Sequence, residues 1–105
     1  MSLNQIVLRK GINKLNELIE KNDQANFIKK YCSIIDRLYD AFKTKTFHVN
    51  CDIWIAVNNY AKELISNKKQ GPGLDTFELC IQRAKEIENN LFFVSKHFCF
   101  FFYYY

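Results

Sequence analysis

A single Gly-Pro-Gly turn constrains this chain more than any other feature. The turn at residues 71–73 contains the only proline and two of the three glycines in 105 residues. Glycine and proline supply the backbone geometries that most tight turns need, so a chain poor in both has few turns. Long helices with short connections suit that composition better than a sheet protein does. The sequence therefore predicts an all-α protein in which this turn separates two helices.

Apolar residues recur at helical spacing in four segments of the chain. The segments are 4–20, 24–42, 52–70 and 75–91. Asn22 or Asp23 is a suitable cap for the second helix, and Asn50 for the third. Asp75 and Glu78 resemble a capping box at the start of the fourth. We predict a small antiparallel bundle of four helices, formed by two helical hairpins, over residues 1–91.

Two segments fall outside the helical pattern. Residues 43–51 contain two threonines, Phe47 and Val49, which predicts an extended connector. Residues 92–105 read FFVSKHFCFFFYYY and are interpreted as an irregular aromatic tail, because no helical or strand period runs through them. Three interpretations of the tail are open: a strap packed along a groove, an anchor to a membrane surface or a protein, and an aberrant end.

The charge balance argues against a nucleic-acid partner. The net charge is +4, from 15 basic and 11 acidic side chains, which is mild for a protein that binds phosphate backbones. The first residues lack the apolar core of a secretion signal, and no apolar run approaches the ~20 residues of a membrane span. We therefore predict a cytoplasmic location, in which the thiols are reduced.

Four residues are candidate metal ligands, although we predict no cofactor. In an up-and-down bundle, the loop with His48 and Cys51 lies at the same end as His97 and Cys99 of the tail. Two histidines and two cysteines are a ligand set that zinc accepts. Their spacings, His-x-x-Cys and His-x-Cys, match no common zinc frame. Small buried thiols and exposed loop histidines are the alternative reading.

Lysines and aromatic residues supply the candidate partner-binding sites. Lys21, Lys29, Lys30, Lys68 and Lys69 gather at the end of the bundle opposite to the tail. They suit an acidic partner, although cations after helix C-termini also complement the helix dipole. The residues assigned to partner binding are Lys68 and Lys69, with Phe98, Phe100 and Tyr103 of the tail.

The chain contains no phosphate loop, dinucleotide fingerprint or metalloprotease helix. We therefore predict a non-enzymatic helical protein–protein interaction module of unknown partner. An alternative is a fragment of a larger helical-repeat protein, because residues 12–19 and 57–65 resemble each other and each precedes a polar break and a second helix.

The length, mild basicity, four amphipathic helices and aromatic C-terminus also resemble the small bacteriocin immunity proteins of Gram-positive bacteria. The resemblance covers the whole chain in architecture alone, and no family motif is matched residue by residue. The four cysteines depart from the family's pattern. The resemblance implies a cytosolic, antiparallel four-helix bundle that protects a producer cell, with specificity carried by the C-terminal part.

Overall fold

A computed structural model describes residues 2–67 and 73–94 of the chain, and this part is mostly helical. The four predicted helices are confirmed. They are α1 (Leu3–Glu20), α2 (Gln24–Thr44), α3 (Cys51–Asn67) and α4 (Leu74–Ile87). The predicted end of the third, at residue 70, lies outside the described residues, and the fourth ends at Ile87 instead of residue 91. A short 3-10 helix, Glu88–Asn90, follows α4. Two strands complete the described elements, β1 (Phe47–Asn50) and β2 (Leu91–Val94).

The two strands correct the prediction of an all-α chain with an irregular tail. β1 and β2 form a parallel pair in which Phe47 lies opposite Leu91 and Asn50 lies opposite Val94. β1 is the extended connector that the sequence predicts between α2 and α3. β2 crosses the boundary placed between residues 91 and 92, and the rest of the tail lies outside the described residues. The strands form because β1 buries Phe47 and Val49, and Leu91 of β2 is buried with them.

The helices pack in two layers around one apolar core. α1 contacts α2 and α3, and α4 contacts the same two helices. The contacts of α2 with α4 advance together along both helices, from Cys80 against Cys32 to Arg83 against Asp36. These two helices therefore run in the same direction. The core consists of the apolar stripes of all four helices together with the inward residues of both strands.

A glycine inside α1 permits the close approach of α2. Gly11 is buried, and a Cβ added there would lie 3.0 Å from Cγ1 of Ile34 and closer still to its Cδ1. Glycine inside a helix costs about 1 kcal/mol relative to alanine. The space that it leaves is filled by the Ile34 side chain, which is itself buried. Gly11 therefore determines how closely the two helices pack.

The turn between α1 and α2 is a Schellman motif closed by Asn22. The Asp23 N–H donates to the Leu18 carbonyl and the Asn22 N–H to the Ile19 carbonyl, each at 3.0 Å. Asn22 has a positive φ of 53°, which asparagine tolerates better than most residues. Its side-chain oxygen accepts a hydrogen bond from the Tyr60 hydroxyl of α3. Asp23 then caps α2, as predicted, by accepting from the Asn26 N–H.

Asn22→Ala is expected to lower the free energy of unfolding by about 1–2 kcal/mol, because alanine adopts positive φ at that cost. Asn22→Gly is the matched control, since it removes the same hydrogen bond to Tyr60 without the backbone strain. Urea unfolding of both variants measures the difference. Equal losses in the two variants would mean that the hydrogen bond, and not the backbone conformation, is what Asn22 contributes.

The starts of α3 and α4 differ in how well they match prediction. Asn50 caps α3 as expected, because its side-chain oxygen accepts from the Ile53 N–H at 3.0 Å. The capping box predicted for α4 is wrong. Gly73, with φ 78°, is the N-cap and α4 begins at Leu74, so Asp75 lies inside the first turn. Its carboxylate there still complements the positive end of the helix dipole. Gly71 and Pro72 lie outside the described residues.

Gln5 binds the backbone of β1 as a neighbouring strand would. Its amide nitrogen donates to the His48 carbonyl at 2.7 Å, and its amide oxygen accepts from the His48 N–H at 2.8 Å. Gln5 is the one buried polar residue among those described, with 7% of its surface exposed. These two bonds attach the first turn of α1 to the middle of β1, on residues 43 positions apart.

Gln5→Glu should destabilise the fold at neutral pH and less so in acid. A carboxylate at position 5 still accepts the hydrogen bond from the His48 N–H. It cannot donate to the His48 carbonyl, and the loss of that bond lowers the free energy of unfolding by about 2 kcal/mol. Burial and the facing carbonyl raise the pKa of the introduced carboxyl above its unfolded value, so the protonated form restores the bond. The stability deficit should therefore be small below about pH 4 and grow as the pH rises.

Urea unfolding of Gln5→Glu and of the unsubstituted protein, at neutral pH and below about pH 4, checks this prediction. Gln82→Glu, at an exposed position of α4, is the matched control for adding a carboxylate. A deficit in Gln5→Glu that is independent of pH would contradict the proposed pairing of Gln5 with His48.

Candidate functional site

The outer surface of α1 and α2 contains an open groove of about 500 Å³, near the turn that joins the two helices. Four lysines line it, so we call it the lysine groove. The remaining lining residues are a buried leucine at the floor and three polar residues. The complete lining is Lys14, Leu18, Lys21, Asp23, Asn26, Lys29, Lys30 and Ser33.

The helical spacing of the two apolar faces explains why the lysines meet. On α1, Lys14 and Lys21 lie four residues before and three residues after Leu18, so all three share one side of the helix. On α2, Phe27 and Tyr31 are buried in the core. Their burial turns the intervening lysines, at positions 29 and 30, outward. The turn at Asn22 then brings the two lysine-bearing surfaces together.

The positive charge of the groove is only partly neutralised. Lys14 forms an exposed ion pair with Glu17 at 3.5 Å. Lys21, Lys29 and Lys30 have no carboxylate within 4 Å in the part of the chain that the structure describes. The one acidic residue in the lining, Asp23, is engaged as the cap of α2 and accepts from the Asn26 amide at 2.7 Å. The groove therefore attracts anionic groups.

The positive charge is unevenly distributed along the sequence. Residues 1–50 carry nine lysines and arginines against five aspartates and glutamates, whereas residues 51–105 carry six against six. The net charge of +4 thus arises from the half of the chain that contains α1 and α2.

The lysine groove includes three of the five lysines that the sequence groups at one end of the bundle. Lys21, Lys29 and Lys30 lie together as the sequence suggested. Lys14 was missed, and its seven-residue spacing from Lys21 is the signal that places it on the same side of α1. The five residues assigned to partner binding, Lys68, Lys69, Phe98, Phe100 and Tyr103, lie outside the described residues, and their role stays a prediction.

Two of the four candidate zinc ligands, His48 and Cys51, belong to the described residues. The loop that contains His48 lies beside the residues that follow α4, because β1 pairs with β2. His48 is exposed, with its ring 5.0 Å from the Phe92 ring, and Cys51 is half-buried at the start of α3. His97 and Cys99 lie outside the described residues. Within 2–67 and 73–94, no group of three or more metal-binding side chains occurs.

Two further thiols, those of Cys32 and Cys80, lie between α2 and α4. Cys80 is fully buried and Cys32 is half-buried beside it. The Cys80 thiol lies 3.5 Å from the Asp36 carboxylate, to which it donates. Burial raises the pKa of the Cys80 thiol well above its usual range, and the neighbouring Cys32 and Asp36 raise it further. Burial also raises the pKa of Cys32. Both groups are therefore held as thiols rather than as nucleophilic thiolates.

A surface network reinforces the same helix pair. Arg83 forms an ion pair with Asp36 at 3.0 Å and lies over the Tyr39 ring, 4.7 Å from its centroid. The Tyr39 hydroxyl donates to the Glu86 carboxylate, and this hydrogen bond raises the pKa of Tyr39. Lys43 also lies over the Tyr39 ring, at 4.6 Å. These side chains interact with one another, so this surface is less available for a partner than the lysine groove.

None of the helices over the described ranges combines the length and the apolar character needed to cross a membrane. Comparison of the chain with protein-family models, with curated proteins and with solved structures gives no match.

Proposed function

We propose that this protein is a non-enzymatic helical interaction module that binds an acidic segment of a protein partner in the lysine groove. The observation that carries the proposal is the groove itself, which is lined by four lysines and by Leu18, of which 6% is exposed. Carboxylates of an acidic segment would pair with Lys21, Lys29 and Lys30, which lack partners of their own in the described structure. An apolar side chain of the same segment would cover Leu18.

The architecture that we propose for the module is a pair of antiparallel hairpins, α1 with α2 and α3 with α4. The three-residue connection between α1 and α2 supports this arrangement, since so short a turn reverses the chain. The hydrogen bond from Trp54, near the start of α3, to Glu88, just after α4, supports it for the second pair. We further propose a cytoplasmic location, which suits the three described cysteines, none of which is in a disulfide.

The test is the affinity for a fluorescein-labelled oligoglutamate peptide, measured by fluorescence anisotropy. We expect Lys29→Glu/Lys30→Glu to weaken binding by about tenfold or more, because each reversal turns an attractive contact into a repulsive one. The matched control is Lys62→Glu/Lys85→Glu, which changes the charge equally at exposed positions of α3 and α4. The control should weaken binding by about twofold at most, through the change in net charge alone.

Two results would contradict the proposal. Equal weakening by the groove and control variants would show that the peptide responds only to net charge. Tighter binding of a single-stranded oligonucleotide of similar charge, with the same dependence on Lys29 and Lys30, would favour nucleic acid as the ligand instead.

A further inference from the structure

We propose that a second pocket, at the start of α1, binds the phosphate group of a small molecule. The pocket has a volume of about 350 Å³, at the lower end of the range for small-molecule sites. Three basic side chains line it, Arg9, Lys45 and His48, and we call it the Arg9 pocket. The remaining lining residues are Ser2, Gln5, Thr46 and Phe47.

The Arg9 pocket carries positive charge without a counter-charge. No aspartate or glutamate lines it. Neither Arg9 nor Lys45 has a carboxylate within 4 Å in the residues that the structure describes. A guanidinium binds two phosphate oxygens at once, and an ammonium adds a point charge beside it. These two groups together match the charge of a phosphate monoester.

Hydroxyl groups supply further donors at the same place. The Ser2 oxygen accepts from the Gln5 N–H at 3.1 Å, which leaves its O–H free to donate. The Thr46 hydroxyl is the second hydroxyl donor, and it makes no hydrogen bond among the described residues. The positive end of the α1 dipole lies at Ser2 and adds to the field of the cations.

The walls of the Arg9 pocket are held in place by the core. Gln5 fixes His48 through two hydrogen bonds of 2.7 and 2.8 Å. Phe47 is buried, with its ring 4.9 Å from that of Phe42. The first turn of α1 and the start of β1 therefore cannot separate without loss of these contacts. The backbone of the site is therefore preformed, and the entropy cost of binding falls mainly on the exposed Arg9 and Lys45 side chains.

The inference is independent of the lysine groove. Gln5 and Arg9 lie four residues apart on one side of α1, whereas Lys14, Leu18 and Lys21 project from roughly the opposite side at 100° per residue. The Arg9 pocket is also the smaller of the two. The two sites therefore suit different ligands, a compact phosphate here and a peptide segment there.

The experiment is a ¹H–¹⁵N NMR titration of the full chain with inorganic phosphate and with glycerol 3-phosphate, and with glycerol as the matched neutral compound. We expect saturable shifts confined to residues 2–9 and 45–48, and none with glycerol. Tighter binding of glycerol 3-phosphate than of inorganic phosphate would identify a phosphomonoester as the ligand. Equal binding of the two would identify the free anion as the ligand. Shifts that do not saturate, or that spread over the basic surface, would overturn the proposal.

Two variants make the result specific to this pocket. Arg9→Gln and Lys45→Gln should each weaken phosphate binding by about fivefold or more, whereas Lys62→Gln on α3 should leave it unchanged. Arg9→Lys keeps the charge but not the paired donors, so it should retain part of the affinity. Both positions are exposed, and the dispersion of the spectrum shows whether each variant is folded. Affinities of Arg9→Gln and Lys45→Gln that equal that of the unsubstituted protein would overturn the proposal.

Discussion

Trp54→Ala is expected to lower the free energy of unfolding by about 3–5 kcal/mol, the largest loss that we predict for a single substitution. Trp54 has 1% of its surface exposed and is the largest fully buried side chain among the described residues. Its ring also approaches Phe93 of β2, with the centroids 6.4 Å apart. The substitution therefore leaves a cavity where α3 meets the strand pair. Small domains are stable by about 5–15 kcal/mol, so the loss is a large part of the total.

Trp54 makes one hydrogen bond through its indole ring and another through its backbone carbonyl. The indole N–H donates to Glu88 at 2.8 Å, and the backbone carbonyl accepts from the Asn58 amide at 2.8 Å. Asn58 in turn accepts from the buried Tyr31 hydroxyl at 2.7 Å. Alanine at position 54 keeps the carbonyl and so keeps Asn58 in place. Burial of the indole ring is then the main contribution that the substitution removes.

Urea unfolding of Trp54→Ala and two controls tests this assignment. Trp54→Phe keeps a large aromatic ring in the core, and Glu88 is exposed, so it can bind water instead of the indole N–H. The free energy of unfolding of this variant should therefore fall by only about 1–2 kcal/mol. Ile55→Ala removes a neighbouring apolar side chain that is 50% exposed, and should cost less than about 1 kcal/mol. Losses of similar size in all three variants would contradict the position of Trp54 in the core.

Gly11→Val is expected to cost about 3 kcal/mol, and Ile34→Ala should relieve much of that cost. The valine methyl groups would enter the space that Ile34 occupies, and overpacking of this kind costs about 1–3 kcal/mol or more. Ile34→Ala alone should cost about 2–5 kcal/mol through the cavity that it creates. The two changes together conserve the number of side-chain carbons between α1 and α2. We therefore expect the double variant to be more stable than the sum of the single losses predicts.

A double-mutant cycle in urea measures this coupling, which should be about 0.5–3 kcal/mol. Asn13→Val, at an exposed position of α1, is the matched control for the effect of valine on the helix itself. Losses from Gly11→Val and Ile34→Ala that simply add would mean that the two residues do not share one space between the helices.

The sequence predicts the helices well because burial repeats along each of them. The spacing of Phe27, Tyr31, Ile34 and Leu38 indicates one face of α2, and all four side chains are buried. The strand β2 escaped prediction because Leu-Phe-Phe-Val is too short for a period to be visible. Its formation depends on β1, whose partner residues precede it by 44 positions in the chain. Local pattern carries no information about such a pairing.

Two glycines illustrate the same limit. From the sequence alone, Gly11 is an unfavourable residue in the middle of a predicted helix. Its role follows only from its packing against Ile34 of another helix. Gly73 is the actual start of α4, and the acidic pattern after it made Asp75 the more obvious cap. In both cases the deciding information is three-dimensional: a neighbour from another helix, or a positive φ.

The candidate site was visible in outline from the sequence. The sequence groups Lys21, Lys29 and Lys30 with Lys68 and Lys69, because the predicted helices place all five at one end of the bundle. The floor at Leu18 and the contribution of Lys14 depend on how α1 and α2 pack, and so required the structure. The Arg9 pocket combines the first turn of α1 with residues 45–48, and no local motif connects these segments.

The central claim is that an acidic segment binds between α1 and α2, and a ¹H–¹⁵N NMR titration with the oligoglutamate peptide tests it most directly. We predict that the largest chemical-shift changes map to the lysine groove, around Lys14, Leu18, Lys21, Lys29 and Ser33. Residues 2–9 and 45–48, around the Arg9 pocket, should change less. Largest changes on α3 and α4, or changes of equal size over all exposed lysines, would contradict the claim.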